Sequence, residues 1–277
     1  MEFESKITYT RHRVAEAYLW ALGTYFEPEY SQARVALAII VILYTALDDV
    51  YDAWLPEAPT GIPDSMKHFY RVIVDFYEKL EHDLEKEGRS GCGFHLKKSV
   101  KALRINYFRT NLKATANGYM QEAKWLKKDY TAKFDEYKEN AIVSSGYYGI
   151  MAVTFAGMGD VAKLDAFEWL SSHPKIRVAS EFERKRKHVA TGIDCYMKQF
   201  GVSRERAAEE IFNIVSNAWK DLNQELMRPH SVNFSLLMPI LNLSRVIHVF
   251  YRYQDAYTHP EFLKEHVVSL LVENIPI

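Results

Sequence analysis

The chain has 277 residues, 48% of them apolar and 26% charged, with a formal net charge of -1. This is ordinary globular usage, and the near-zero balance excludes the basic footprint of a nucleic-acid binder. Two cysteines, Cys92 and Cys195, are too few for a disulfide framework, and Met1 to Ser5 carries acid without an apolar stretch, so neither a secretory signal nor a transit peptide is read there.

Helical periodicity runs through most of the chain. The pattern predicts helices over 10–25 and 31–53. The second holds the longest apolar run, Val35 to Leu47, which is too short to span a bilayer and is followed at once by acids. A buried helix is therefore expected, and no membrane span. Phe69, Ile73, Phe76, Leu80 and Leu84 recur at helical spacing between a cap at Asp64 or Ser65 and a stop at Gly88. Further helices are expected over 95–127, 134–156, 163–171 and 184–199. Ser203 is positioned to cap a helix whose Ala208, Ile211, Val215, Ala218 and Leu222 share a face. The last two helices cover 234–252 and 260–272. Strand alternation is nearly absent, and no linker or fixed-period repeat is visible. The prediction is one all-α domain of about ten helices.

Asp48-Asp49-x-x-Asp52 closes the apolar helix. Positions i and i+4 share a helix face, so Asp48 and Asp52 can point into one space while Asp49 orients its neighbours. Converging carboxylates suit a hard cation such as Mg²⁺, which takes oxygen ligands and bridges to phosphates. Acids at a helix C-terminus also oppose the macrodipole, a cost that function would explain. A solvated helix end without a ligand is the competing reading, and spacing alone does not separate the two.

Other signals are weaker one by one. Arg11-His12-Arg13 offers two guanidinium groups suited to phosphate oxygens, or only a basic turn. Trp20 lies in the apolar run Tyr18-Leu19-Trp20, and Tyr251-x-Tyr253-x-Asp255-x-Tyr257 sets an acid among phenols. With 14% aromatic residues the chain has either a ring-filled core or a pocket of π faces able to stabilise a cation. Ser144-Ser145-Gly146 can break the 134–156 helix and free its carbonyls, or serve as a small-residue packing contact. Glu181 to His188 is a charge run expected on a solvated face, and the histidines show no metal-ligand spacing.

Together these segments resemble the plant class I terpene synthase family, over nearly the whole chain. RHR at 11–13, LWALGTYFEPEYSQAR at 19–34, DDVYD at 48–52, EAKWL at 122–126, SSGY at 144–147, FEWLSSHPKI at 167–176, DCYMKQFGVS at 194–203, AWKDLNQELMRP at 218–229, LNLSRVI at 241–247 and DAYTHP at 255–260 stand in family order. GRSGCGFHLKKS, NGYMQEAKWLKKDY and FYRYQDAYTHPEFLKEH look most like δ-guaiene synthases. The resemblance implies a class I terpenoid synthase helical bundle around a hydrophobic pocket, with residues 1–277 as its catalytic domain and the family's N-terminal helical domain absent. It implies a cytoplasmic, monomeric sesquiterpene cyclase that ionises farnesyl diphosphate with Mg²⁺, three ions in the family and Mn²⁺ as a substitute. By position, Asp48, Asp52 and Glu183 match metal ligands, and Asp49, Arg11 and Arg13 match groups around the diphosphate. Ser144, Ser145 and Gly146 match the helix break that faces the cation. Trp20, Tyr251, Asp255 and Tyr257 match the cavity residues.

The pattern is broken in places. The family's second metal motif, (N/D)D-x-x-(S/T/G)-x-x-x-E, follows PKI-x-x-AS, but here PKIRVAS at 174–180 runs directly into EFERKRKHVATGIDC, and only Glu183 matches. The stretch after Asp52 is short, KALRINYFRTNLKATANGY at 101–119 is long, and His248 stands where the family has Asp. The alternative implied is a truncated, catalytically silent homologue that binds prenyl diphosphate without turnover.

Overall fold

The computed structural model describes residues 13–54, 64–86, 94–172, 190–227, 232–252 and 255–273. They form eleven α-helices and no strand among the described residues: α1 (Val14–Thr24), α2 (Ser31–Trp54), α3 (Asp64–Lys86), α4 (Phe94–Lys127), α5 (Phe134–Ser144), α6 (Tyr147–Gly157), α7 (Leu164–Ser172), α8 (Gly192–Phe200), α9 (Arg204–Glu225), α10 (Phe234–Tyr251) and α11 (Lys264–Leu271). The all-α expectation is met.

Helix α2 is the axis of the bundle. Its run from Ala33 to Tyr51 buries residues on most sides, because α1, α3, α4 and α6 all pack against it. A helix apolar nearly all round needs such a setting. Helix α10 is apolar and long enough to cross a membrane by length and composition alone, yet most of it is buried against α1 and α6. It is a core helix of the bundle.

Few of the central helices start or stop on local signals alone. Arg34 donates to the carbonyls of Tyr25 (3.1 Å) and Glu27 (2.6 Å), which folds the α1–α2 connection back on α2. The buried Tyr25 hydroxyl donates to the Thr154 carbonyl on α6 at 2.5 Å. Asn242 of α10 donates to the Thr24 carbonyl at 3.2 Å, satisfying the end of α1 from across the bundle. Each contact satisfies a buried polar group that would otherwise cost about 1–3 kcal/mol.

Three expected elements need correction. The 134–156 helix is two, α5 and α6, because Gly146 takes the left-handed conformation at φ 71°. The helix expected from 184 starts, in its described part, only at Gly192, because Thr191 caps it; residues 184–189 lie outside the described residues. The 260–272 helix begins as a 3₁₀ turn over Pro260–Leu263. Ser203 caps α9 as expected, accepting from Arg206 N at 3.3 Å. On α9 the buried alanine of the first turn is Ala207, one residue before the predicted Ala208.

Candidate active site

The last three turns of α2 carry a stripe at i, i+3 and i+7: Thr45, Asp48 and Asp52. Residues so spaced share a helix face. Asp48 is half-buried and Asp49 is buried at 9% exposure, and no basic residue lies in the last turn of the helix. The side chain of Asp52 lies outside the described residues.

The aromatic candidates meet. Trp20 of α1 lies 4.8 Å from the ring of Phe250, 6.0 Å from Tyr251 and 5.7 Å from Tyr257, the last two edge-on. Phe250 and Tyr257 lie 5.8 Å apart and close the group. Ring separations of this order are attractive beyond simple burial. Trp20 and Tyr257 are nearly enclosed, at 8% and 6% exposure. The Trp20 indole Nε1 is buried without a hydrogen-bond partner among the described residues.

This wall is tied to α2. The Tyr257 hydroxyl lies 2.9 Å from Thr45 Oγ1, one turn before Asp48. Backbone bonding supports the wall from below: Ala256 N donates to the Phe250 carbonyl at 2.9 Å, turning the chain so that Tyr257 comes back over Trp20. Asp255 builds the next turn. Its two carboxylate oxygens accept from Thr258 N (2.9 Å) and Thr258 Oγ1 (2.7 Å). Arg13, at the start of α1, donates to the Thr258 carbonyl at 2.8 Å and lies 3.8 Å from Glu16. Thus Arg13, Trp20, Tyr251, Asp255 and Tyr257 fall in one neighbourhood, joined through Thr45 to the aspartate end of α2. Arg11 and Glu183 lie outside the described residues.

The α5–α6 break sits on the adjacent side of α2. A Cβ on Gly146 would meet the Tyr44 ring at 2.6 Å, and one on Gly149 would meet the Tyr44 hydroxyl at 1.9 Å. Glycine is required at both places, and at Gly146 also by its positive φ. Burial pushes the Tyr44 phenol far above its usual range, so it stays protonated. Ser144 donates to Glu122 Oε1 of α4 at 2.6 Å, and Asn140 donates to the same atom at 3.2 Å. Ser145 donates to the Ile142 carbonyl and accepts from Tyr147 N at 3.2 Å. The two serines shape the break through these bonds, and α5, like any helix, ends with carbonyls outside its own ladder.

Thr45, Phe250, Thr258 and Tyr44 were missed in the sequence. A signal for Thr45 existed, since it lies three residues before Asp48 on the same face. None existed for Tyr44 or Thr258, whose contacts come from distant parts of the chain. His248, the departure noted in the α10 motif, sits beside Trp219 of α9 at 6.3 Å between rings. Burial first, and Arg252 second, hold its pKa below the ordinary histidine value.

The donor set at the end of α2 is carboxylate oxygen, which fits Mg²⁺, an ion commonly held by one or two carboxylates with phosphate and water completing its shell. Among the described residues no group of three His, Cys, Asp or Glu is placed to hold a metal ion by itself. The residues present therefore suit an ion shared with a phosphorylated ligand.

The sequence matches the family described as "Terpene synthase family, metal binding domain" over residues 1–55 and 52–221. The two stretches overlap at 52–55. An alpha-humulene/(-)-(E)-beta-caryophyllene synthase of Arabidopsis thaliana is 66% identical over 308 aligned residues, covering 100% of this chain and 54% of the relative. A hedycaryol synthase of Camellia brevistyla is 38% identical over 309, covering 100% and 53%. The chain thus spans about half the length of the curated relatives it matches. Isoprene synthase from grey poplar leaves superposes with a TM-score of 0.81 at 25% identity, over 99% of this chain and 55% of that one. A second structure of the poplar enzyme, with three Mg²⁺ ions and dimethylallyl-S-thiolodiphosphate, superposes at 0.78 and 24% identity, over 99% and 56%. With the family match reaching over most of its length and a relative at 66% identity, this chain belongs to the terpene synthase family and carries its metal-binding domain.

Proposed function

We propose that the chain is the catalytic domain of a Mg²⁺-dependent sesquiterpene cyclase, a carbon–oxygen lyase that converts farnesyl diphosphate to a cyclic sesquiterpene and diphosphate. The observation that carries the reading is the juxtaposition along α2. The helix ends in Asp48, Asp49 and Asp52, and one turn earlier it is bonded to a wall of Trp20, Phe250, Tyr251 and Tyr257. A prenyl diphosphate has the same two halves, a polyanionic head and an apolar tail that becomes a cation when the head departs.

The residues have distinct tasks in this reading. Asp48 and Asp52, with Glu183, would hold the ions. Bound Mg²⁺ supplies charge neutralisation for the departing diphosphate. Arg13, joined by Arg11, places guanidinium charge near the same head. The rings present π faces to the cation, worth about 2 kcal/mol or more where water is excluded. The break at Gly146, which Ser144 and Ser145 hold in place, would set the last turn of α5 beside the same region. Asp255, with both oxygens engaged by Thr258, orients the Tyr257 segment rather than touching substrate.

Incubation with farnesyl diphosphate and Mg²⁺ should release diphosphate and hydrocarbon together, and chelation should stop both, with Mn²⁺ restoring part. Release of neither overturns the reading. The printed name of the Arabidopsis relative, at 66% identity, favours a humulene- or caryophyllene-type product over the δ-guaiene type, and gas chromatography decides between them. The missing Asp and Ser/Thr after Ser180 favour a second reading, a silent homologue. Calorimetric binding of farnesyl diphosphate without turnover supports that reading instead.

A further inference from the structure

Thr45 touches two groups at once. Its Oγ1 lies 2.9 Å from the Val41 carbonyl, one turn back on α2, and 2.9 Å from the Tyr257 hydroxyl. The hydroxyl of threonine has one proton and lone pairs to spare. A carbonyl only accepts, so the Thr45 proton goes to Val41. The bond to Tyr257 must then run the other way, with the phenol donating to Thr45. This direction follows from counting protons. In a helix the Oγ1 bond to the i−4 carbonyl also locks the threonine rotamer, so the acceptor presented to Tyr257 is a fixed point on a rigid element.

Two consequences follow for the phenol. Its proton is committed to α2, so the oxygen faces its other surroundings as a lone-pair acceptor. Its ring is pinned at the edge-on angle of 85° to Trp20, with Phe250 on the flank. We infer that Thr45 is a positioning residue for the aromatic wall: it fixes the tilt of Tyr257 and withholds its proton from the pocket side, and so narrows the set of products. This rests on the cyclase reading. A phenol free to turn presents its ring and its dipole to the reacting cations at more than one angle, so more than one ring closure is favoured and the product set widens. With the proton held by Thr45, the phenol acts as a neutral dipole and a wall.

The test uses Thr45→Val, which keeps shape and loses the acceptor, and Thr45→Ser, which keeps the acceptor. In the first arm, 3-fluorotyrosine is placed at position 257 and read by fluorine NMR without substrate. One line at the same shift is expected for the parent and Thr45→Ser, and a shifted or broadened line for Thr45→Val. An unchanged line in Thr45→Val overturns the inference whether or not the protein turns over farnesyl diphosphate. In the second arm, the share of the major product should fall by about twofold or more in Thr45→Val and recover in Thr45→Ser, as small displacements of a reacting wall have large effects. A parent-like product mixture in Thr45→Val overturns the inference. If the parent makes no product, the cyclase reading falls, and the fluorine arm alone decides the placement of Tyr257.

Discussion

The small cluster of α5, α8 and α9 and the central bundle of α1, α2 and α10 are held in different ways. In the cluster, Trp125, Phe134, Cys195 and Ile211 pack beneath helices of which α8 and α9 begin on their own sequence. Thr191 and Asp194 form a reciprocal capping box at the start of α8, Gly201 turns its end at φ 64°, and Ser203 caps α9. In the bundle, α1 begins at Arg13 and α6 at Gly146 with no side-chain cap. Order there comes from distant partners: Asn242 on Thr24, Tyr25 on Thr154, Thr45 with Tyr257. The α8–α9 pair is specified locally and the site region mostly by distant contacts, with α10, capped by Asn233, the exception in the bundle. A fold can thus keep its frame while the residues that shape the pocket respond to one another.

Substitutions should divide along the same line. The largest effect is expected from Asp48→Asn, which removes a carboxylate ligand: turnover of farnesyl diphosphate should fall by about a hundredfold or more. Its melting temperature should change far less than its turnover, since the amide keeps the size of the carboxylate. A large loss of stability with little loss of turnover would break the division. Next, Gly149→Leu drives a side chain into the Tyr44 hydroxyl, 1.9 Å from where its Cβ would stand. The α2–α6 contact should open at a cost of about 3 kcal/mol, read by denaturant unfolding. The smallest effect belongs to Thr191→Ala, which should cost about 1 kcal/mol by the same measurement and leave the product mixture as in the parent. A changed mixture there would show that the periphery does steer the site.

The same contrast explains what could be read from the sequence. Helices α2, α4 and α9 were legible from periodicity, and Ser203 from its capping chemistry, because these signals are local. Asp48 and Asp52 were legible as a pair from helical spacing, and Trp20, Tyr251, Asp255 and Tyr257 as family matches. That Trp20 and Tyr257 touch, and that Thr45 links them to the aspartates, was not legible: the Thr45–Tyr257 bond joins residues 212 positions apart. The break at Gly146 was anticipated as one of two readings. Its cause, the Tyr44 ring pressed against it, arises only when α2 and α6 pack.

The aspartate end of α2 and the aromatic wall should serve one ligand as a single site. A crystal structure of the protein with Mg²⁺ and the non-reacting farnesyl thiolodiphosphate tests it most directly. Metal density beside Asp48 and Asp52 is expected, with the prenyl chain running over Trp20 and Tyr257. A diphosphate bound away from α2, or a prenyl chain that leaves the aromatic wall untouched, would contradict it.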